Sequence, residues 1–345
     1  MAPGSAPHLL LESRLAHRLL LTHFLAPAPG LLAAPAALSA RSPPALANLP
    51  WPDLAQMRGA THTRRTNIGR QLRLAWGLLK TLPFRARFND VMQRHAHWRP
   101  VFAQQAKSFE PLVQSFIDRR FSVAQRFKHL QHDLAVATRV FGVTTSERIA
   151  AGEHLVLWGL AGAGEVCLGL NELCRREGLW ALSLRTAAGV RVCQISFSFL
   201  HRDRLMIGSV QGAAMHDEPA QQGIRDLTHA AEGLRPPYLL VEVLRVICLR
   251  EALALLGVDP QHHVKRRWHQ ATLAVCFDYG AFWAGLGGHC TARGFWSLPD
   301  QRAPRALEDV PAKRRAQHKR KLALLAGLPQ QLRHLPGLAR EAYAA

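Results

Sequence analysis

The stretch Arg191-Val-Cys-Gln-Ile-Ser-Phe-Ser-Phe-Leu-His201 decides the fold class. Side chains alternate across a strand, so Val192, Gln194, Ser196 and Ser198 fall on one face and Cys193, Ile195, Phe197 and Phe199 on the other. Before it, Gly178-Leu-Trp-Ala-Leu-Ser-Leu-Arg-Thr186 alternates in parts and runs into the turn signal Ala187-Ala-Gly189. After it, Arg202-Asp203 turns the chain into Arg204-Leu-Met-Ile-Gly-Ser-Val-Gln-Gly212. Three strands joined by short turns predict an antiparallel meander, and residues 165–170 supply a preceding strand.

Outside the meander the period becomes helical. Ile68, Leu72, Ala75, Leu79 and Leu82 recur at three- and four-residue steps, with Arg70, Arg73 and Lys80 off that line. This predicts a basic amphipathic helix whose apolar stripe packs, ended at Pro83. A second helix covers 84–97, closed by Pro100. A third starts near Pro111, with Leu112, Phe116, Ile117, Phe121, Ala124, Phe127 and Leu134 as its stripe and Arg119, Arg120, Arg126 and Lys128 mostly off it. Beyond the sheet, Asp217 is an N-cap for a stripe of Ile224, Leu227, Thr228, Ala231 and Leu234. An apolar helix over 238–256 follows, with Arg245 and Arg250 off its packed face and Gly257 as its C-cap. Residues 268–296 read as aromatic-rich irregular structure with short strands, and 311–325 as a basic helix.

The expected architecture is a single α+β domain, a mainly antiparallel sheet flanked by helices. Residues 1–57 are a leader and linker, 58–140 a basic helical region, 141–328 the core with a basic C-terminal helix, and 329–345 a tail. Ala37-Leu-Ser-Ala40 resembles a signal-peptide cleavage site, but Pro27, Pro29 and Pro35 break the apolar run before it. No apolar run reaches the ~18 residues of a spanning helix. The six cysteines have no CxxC spacing and read as buried small hydrophobes in a reducing compartment. Metal binding is not expected.

Charge is unevenly placed. Residues 58–140 hold 16 basic and 4 acidic side chains, 299–345 hold 10 and 4, and the stretch between them 15 and 14. Two basic flanks around a near-neutral centre favour an anionic partner: nucleic acid, an anionic membrane surface or a phosphorylated ligand. In Lys313-Arg-Arg-Ala-Gln-His-Lys-Arg-Lys321, the cations Lys313, Arg314, Arg315, Lys319, Arg320 and Lys321 wrap most of a helix. They suit an anionic surface such as phospholipid or lipid A, or are a solvated basic tail. Nucleic-acid binding stands as an alternative, although no helix-turn-helix, finger or RNP signature is present.

Seven blocks in order carry a family resemblance: Ser196-Phe-Ser-Phe199, Ile207-Gly-Ser-Val-Gln-Gly212, Gly233-Leu-Arg-Pro236, His262-His-Val264, Asp278-Tyr-Gly-Ala-Phe-Trp283 with Leu286-Gly-Gly288, Gly294-Phe-Trp-Ser-Leu-Pro299 and Val310-Pro-Ala-Lys-Arg-Arg-Ala316. From about residue 68 to 328 the chain resembles the DUF535 family, the VirK/YbjX-like proteins of Gram-negative bacteria. The family runs Tyr-Asp before its Phe-Trp pair; here Gly280 follows Tyr279. The resemblance implies a role in virulence and resistance to envelope damage or antimicrobial peptides, in the cytoplasm or at a membrane periphery, with no established reaction or cofactor.

The element order is also like that of GNAT acyltransferases, in which backbone N–H groups at a helix start hold the pyrophosphate of acyl-CoA. On that analogy Gln211 and Gly212 are the cofactor-binding candidates, although Gly212 is followed by Ala-Ala-Met-His rather than the fold's Arg/Gln-x-x-Gly-x-Gly/Ala signature. His263 is a candidate general base or a capping or core histidine. Asp278 and Tyr279 form a candidate proton-transfer pair, or belong to an aromatic cluster of Phe277, Tyr279, Phe282 and Trp283 with Asp278 as its cap.

Overall fold

The computed structural model describes residues 47–59, 68–213, 217–265, 277–301 and 306–333, which all belong to one compact unit. Seven helices come first: α1 (Leu54–Gly59), α2 (Ile68–Thr81), α3 (Arg85–Arg94), α4 (Arg99–Ala103), α5 (Glu110–Val113), α6 (Val123–Phe141) and α7 (Val143–Ala150). Five strands follow: β1 (Leu155–Leu160), β2 (Gly164–Leu170), β3 (Trp180–Thr186), β4 (Arg191–His201) and β5 (Arg204–Gly212). Then come α8 (Glu218–Ala230), α9 (Pro236–Arg250), β6 (Ala254–Gly257), α10 (Tyr279–Gly285), β7 (His289–Cys290), β8 (Trp296–Leu298) and α11 (Ala312–Gln331).

The predicted meander is present and longer. Strands β1 to β5 pair in sequence order, each antiparallel to the next. The sheet then changes character. β6 adds to β5 in parallel, Arg204 against Ala254 through Ile207 against Gly257, after a crossover through α8 and α9. Spatially β8 lies between β6 and β7, antiparallel to both. The fold is α+β.

Four details differ from the sequence reading. The helix expected over 238–256 stops at Arg250, because Leu255 and Leu256 pair with β5 and β8 instead. Gly257 is therefore a strand residue; it lies under the Trp283 indole, where a Cβ would come within 2.6 Å of the ring. Arg245, expected off the packed face, is buried, bonded to Glu242 at 2.6 Å and to the Leu286 carbonyl at 2.9 Å. Pro100 opens α4 rather than closing a helix, since its missing N–H falls where none is needed. The helix expected from Pro111 breaks after α5, with Ile117 at φ 55°, and resumes as α6 behind a Ser122–Gln125 capping box.

The largest departure is in α2. Its range matches, but the side chains buried are Leu74, Gly77 and Thr81. The predicted stripe faces solvent, with Ile68, Leu72 and Leu79 more than half exposed. Gly77 dictates this orientation: a Cβ there would lie 2.1 Å from the Val113 carbonyl, so the glycine lets α2 close on α5.

One core joins the helices and the sheet. Phe88, Phe102 and Phe109 interlock, and Phe141 of α6 meets Trp180 of β3 and Phe199 of β4. Asp133 of α6 is fully buried, accepting from the Trp180 indole at 2.6 Å and the Phe199 N–H at 2.8 Å. Burial pushes its carboxyl up to about 7.

Candidate functional site

Parallel pairing of β5 and β6 ends at Ile207 and Gly257, extended by one bond from Val258 N–H to the Ile207 carbonyl. Beyond it the two chains part. The edge of β5 from Gly208 to Gln211 then finds side-chain partners, and these make the site.

His263 and Tyr279 cover the freed backbone. The His263 Nε2–H donates to the Gly208 carbonyl at 3.0 Å, and its Nδ1 accepts from the Lys265 N–H at 3.2 Å. The Tyr279 hydroxyl accepts from the Val210 N–H at 3.1 Å. The two rings stack with centroids 5.5 Å apart. Burial, with Lys265 and Arg176 nearby, pushes His263 down to about 4, so the imidazole is neutral at physiological pH. Burial pushes the Tyr279 phenol up, so it keeps its proton.

Glu177 lies beneath them, 1% exposed. Its Oε1 is 2.9 Å from Lys265 Nζ and its Oε2 accepts from the Gln211 amide at 2.7 Å. His263 Nε2 stands 3.4 Å from Oε1. Burial raises the Glu177 carboxyl, and Lys265 is the main group opposing the shift. The loop carrying Glu177 is locked to the sheet. Asn171 donates to the carbonyls of Gly178 and Cys174 at 2.9 and 2.6 Å and accepts from Gln194 at 3.1 Å. Gly208 permits the close contact, since a Cβ there would sit 1.9 Å from the Glu177 carbonyl.

Three predicted residues, His263, Tyr279 and Gln211, thus converge here. The general-base role expected of His263 is corrected: both ring nitrogens are engaged with backbone, which leaves no free lone pair. Asp278 is not paired with the Tyr279 hydroxyl. It is exposed and caps α10, accepting from the Ala281 N–H at 2.9 Å. The aromatic alternative describes this segment, with Phe277, Tyr279, Phe282 and Trp283 in mutual ring contact.

Gly212 ends β5 at the mouth of a 540 Å³ cleft, lined mainly by apolar groups of Val192, Cys193, Ile224, Thr228, Pro236 and Pro237. Arg225, Arg235 and His229 also line it. A Cβ at Gly212 would meet nothing within 4 Å, so this is open space. The Cys193 thiol is pushed up to about 12 by burial and is no thiolate at neutral pH. The start of α8 is occupied by its own chain: the Asp217 carboxylate accepts from the Ala220 N–H at 3.2 Å, and Glu218 follows in the first turn.

In α11, Lys313, Arg314, Arg315, Lys319 and Arg320 are exposed and Lys321 is half-buried. Arg320 pairs with Glu232 at 2.9 Å, and Arg315 donates to the Val310 carbonyl at 3.0 Å. Among the described residues no group of three His, Cys, Asp or Glu side chains could hold a metal ion, and no helix is long and apolar enough to cross a membrane.

Sequence reasoning missed Glu177 and Lys265. Glu177 gave no signal, lying in a polar turn, Cys174-Arg-Arg-Glu-Gly178, whose burial depends on the distant Gly208. Asp133 did have one: it stands seven residues from Arg126 and from Val140, and all three are on the buried side of α6.

Fold and site together define an α+β protein with a buried Glu177 paired to a partly exposed Lys265, and a Tyr–His stack, at a parting of parallel strands. The chain belongs to the family described as protein of unknown function (DUF535), whose model matches residues 64–334. It is similar to an uncharacterised protein of Haemophilus influenzae, 26% identical over 236 residues, 68% of this chain and 80% of the relative. It is also similar to the uncharacterised protein YbjX of Escherichia coli, 28% identical over 163 residues, 46% of this chain and 49% of the relative. A further relative, named membrane protein LapB, from Mannheimia haemolytica, is 26% identical over 181 residues, 52% of this chain and 77% of the relative. No solved structure matches the chain.

Proposed function

We propose that this chain is a GNAT-like acyltransferase that takes its acyl group from a thioester such as acyl-CoA. The observation supporting this reading is the parallel β5–β6 pair, set in an otherwise antiparallel sheet and parting with titratable groups at the opening. Open sheets bind ligands where strand order or direction changes. Acyl transfer needs a proton acceptor for the incoming nucleophile, donors for the oxyanion and a proton for the departing thiolate. Tyr279 is the candidate proton donor, its phenol held by the Val210 N–H. Glu177 is the candidate proton acceptor, with Lys265 and Gln211 fixing its oxygens. His263 positions both by tying Lys265 and Gly208 together. The cleft at Gly212, which shares none of these residues, is the candidate place for a donor with an apolar chain and an anionic end, with Arg225, Arg235 and His229 for the latter. The test is thiol release from acyl-CoA over a panel of amine and hydroxyl acceptors, with Tyr279→Phe as control. Release that falls at least tenfold in the variant supports the reading; release equal to buffer with every acceptor ends it.

A second reading, peripheral docking on anionic phospholipid or lipid A in envelope-stress resistance, is favoured by the exposed cations of α11 and by a relative named as a membrane protein. Each cation near an anionic membrane contributes about 1 kcal/mol, screened by salt. Changing Lys313, Arg314, Arg315, Lys319, Arg320 and Lys321 to Gln should therefore weaken vesicle binding; unchanged flotation removes α11 from this reading.

A further inference from the structure

Among the described residues, nine large hydrophobic side chains are exposed, and five of them make one line: Ile68, Leu72, Trp76, Leu79 and Leu82. They are between 40% and 74% exposed. Four lie on α2 at steps of four, four and three residues, and Leu82 continues the line in the next turn. At 100° per residue this stripe is on the side of α2 opposite Leu74, Gly77 and Thr81, which pack on the body. An ordinary surface helix has one apolar face; this one has two, and only one is covered. Scattered exposed apolar residues need no partner, but a contiguous row does.

The flanks of the row identify its partner. Arg73 and Lys80 are exposed along one side of it, and Arg85 and Arg87 are exposed just beyond its end. The sequence holds no carboxylate from residue 68 until Asp90. Lys80 Nζ lies 4.9 Å from the centroid of the Trp76 ring, so an amphipathic aromatic and an ammonium share the border of the apolar face. Trp, Leu and flanking Lys or Arg on opposed faces mark helices that lie in a lipid headgroup layer. A second copy of the face would bring Arg73 and Lys80 against their equivalents with no carboxylate to answer them. Residues 1–46 offer one carboxylate, Glu12, against Arg14, Arg18 and Arg41, so they do not answer these cations either. An anionic bilayer answers both features, acyl chains for the row and headgroups for the cations.

We infer that α2 is an interfacial helix, which seats Ile68, Leu72, Trp76, Leu79 and Leu82 in the headgroup–acyl boundary of an anionic membrane. This surface is distinct from the α11 cations and independent of acyl transfer. It predicts binding that high salt weakens without abolishing, because insertion of apolar side chains is not screened.

The full chain is tested by co-flotation with vesicles of phosphatidylcholine and phosphatidylglycerol at low and high salt. Variants are Leu72→Glu with Trp76→Glu, and the six-cation Gln variant of α11. The expected result is anionic-lipid binding by the wild type, with part surviving high salt, and a loss of about tenfold or more in the α2 variant. Its melting temperature should be unchanged, since both side chains are exposed. An α2 variant that floats like the wild type overturns the inference, whatever the α11 variant does. So does a wild-type dimer dissolved by the α2 changes, or flotation that appears only once residues 1–46 are removed. If only the α2 variant loses binding, the inference stands and docking through α11 falls.

Discussion

Replacing Lys265 by methionine keeps the stem and removes a full positive charge bonded to Glu177 Oε1, at 2.9 Å. The carboxylate then retains the Gln211 amide on its other oxygen, while the neutral His263 remains directed at Gly208. Breaking a wholly buried ion pair from one side costs about 3–5 kcal/mol. The Lys265 side chain is 36% exposed, so water partly replaces it, and the expected loss at neutral pH is about 1–3 kcal/mol. The loss depends on pH. Burial already raises the Glu177 carboxyl, and Lys265 opposes that shift; without the lysine it rises further. A carboxyl raised in the native state holds a proton that the unfolded chain releases, so stability falls as pH climbs above the ordinary carboxyl range. The deficit of the Lys265→Met protein should therefore be smaller near pH 5 than near pH 8. Adding Glu177→Gln should restore most of the loss and flatten its pH dependence. Thermal or urea denaturation of the three proteins at both pH values measures this, with about 2 °C or more expected per kcal/mol. A deficit equal at pH 5 and pH 8, or one that Glu177→Gln does not relieve, would refute the reasoning.

Other outcomes follow from the same packing. Trp283 is fully buried and its indole donates to the Val258 carbonyl at 3.0 Å; Trp283→Ala should cost about 3–5 kcal/mol and leave an unfolded or aggregating protein. His263→Ala strands the Gly208 carbonyl and the Lys265 N–H, at about 1–3 kcal/mol for each unpaired buried group. Because the ring is neutral throughout pH 6–8, that deficit should be constant there in a denaturation series. Asp133, pushed up to about 7, lowers stability as pH rises from the ordinary carboxyl range to about that value; Asp133→Asn should remove this slope while the Trp180 and Phe199 donors keep an acceptor.

The meander, Asp217 as the cap of α8 and the basic helix near residue 311 were legible because each rests on local signals: period two, a capping carboxylate, a run of helix formers. Three features were not legible, for different physical reasons. Leu253 to Leu256 continue an apolar helix by composition, and only the β5 edge makes residues 254–257 a strand. The α2 stripe has a clear 3.6-residue period, but periodicity does not say which side a helix packs; Gly77, small enough for Val113 to approach, reverses the expected face. Glu177 is brought to Gln211 and Lys265 by a loop that crosses β5 at Gly208, a contact between positions far apart in sequence. His263, Tyr279 and Gln211 were nominated from motif context, and their convergence follows from where α10 and the segment after β6 cross the parting strands.

The most direct test of the acyl-donor reading is calorimetric titration of the full chain with acyl-CoA, short and long chain, beside a Thr228→Trp variant. Thr228 lines the cleft at Gly212 and is only half-buried, so an indole there fills the cleft without disturbing the core. Saturable binding to the wild type, weakened about tenfold or more by Thr228→Trp in a protein of unchanged melting temperature, is the predicted result. No measurable heat with either acyl-CoA, or equal affinity in the filled variant, would contradict the account.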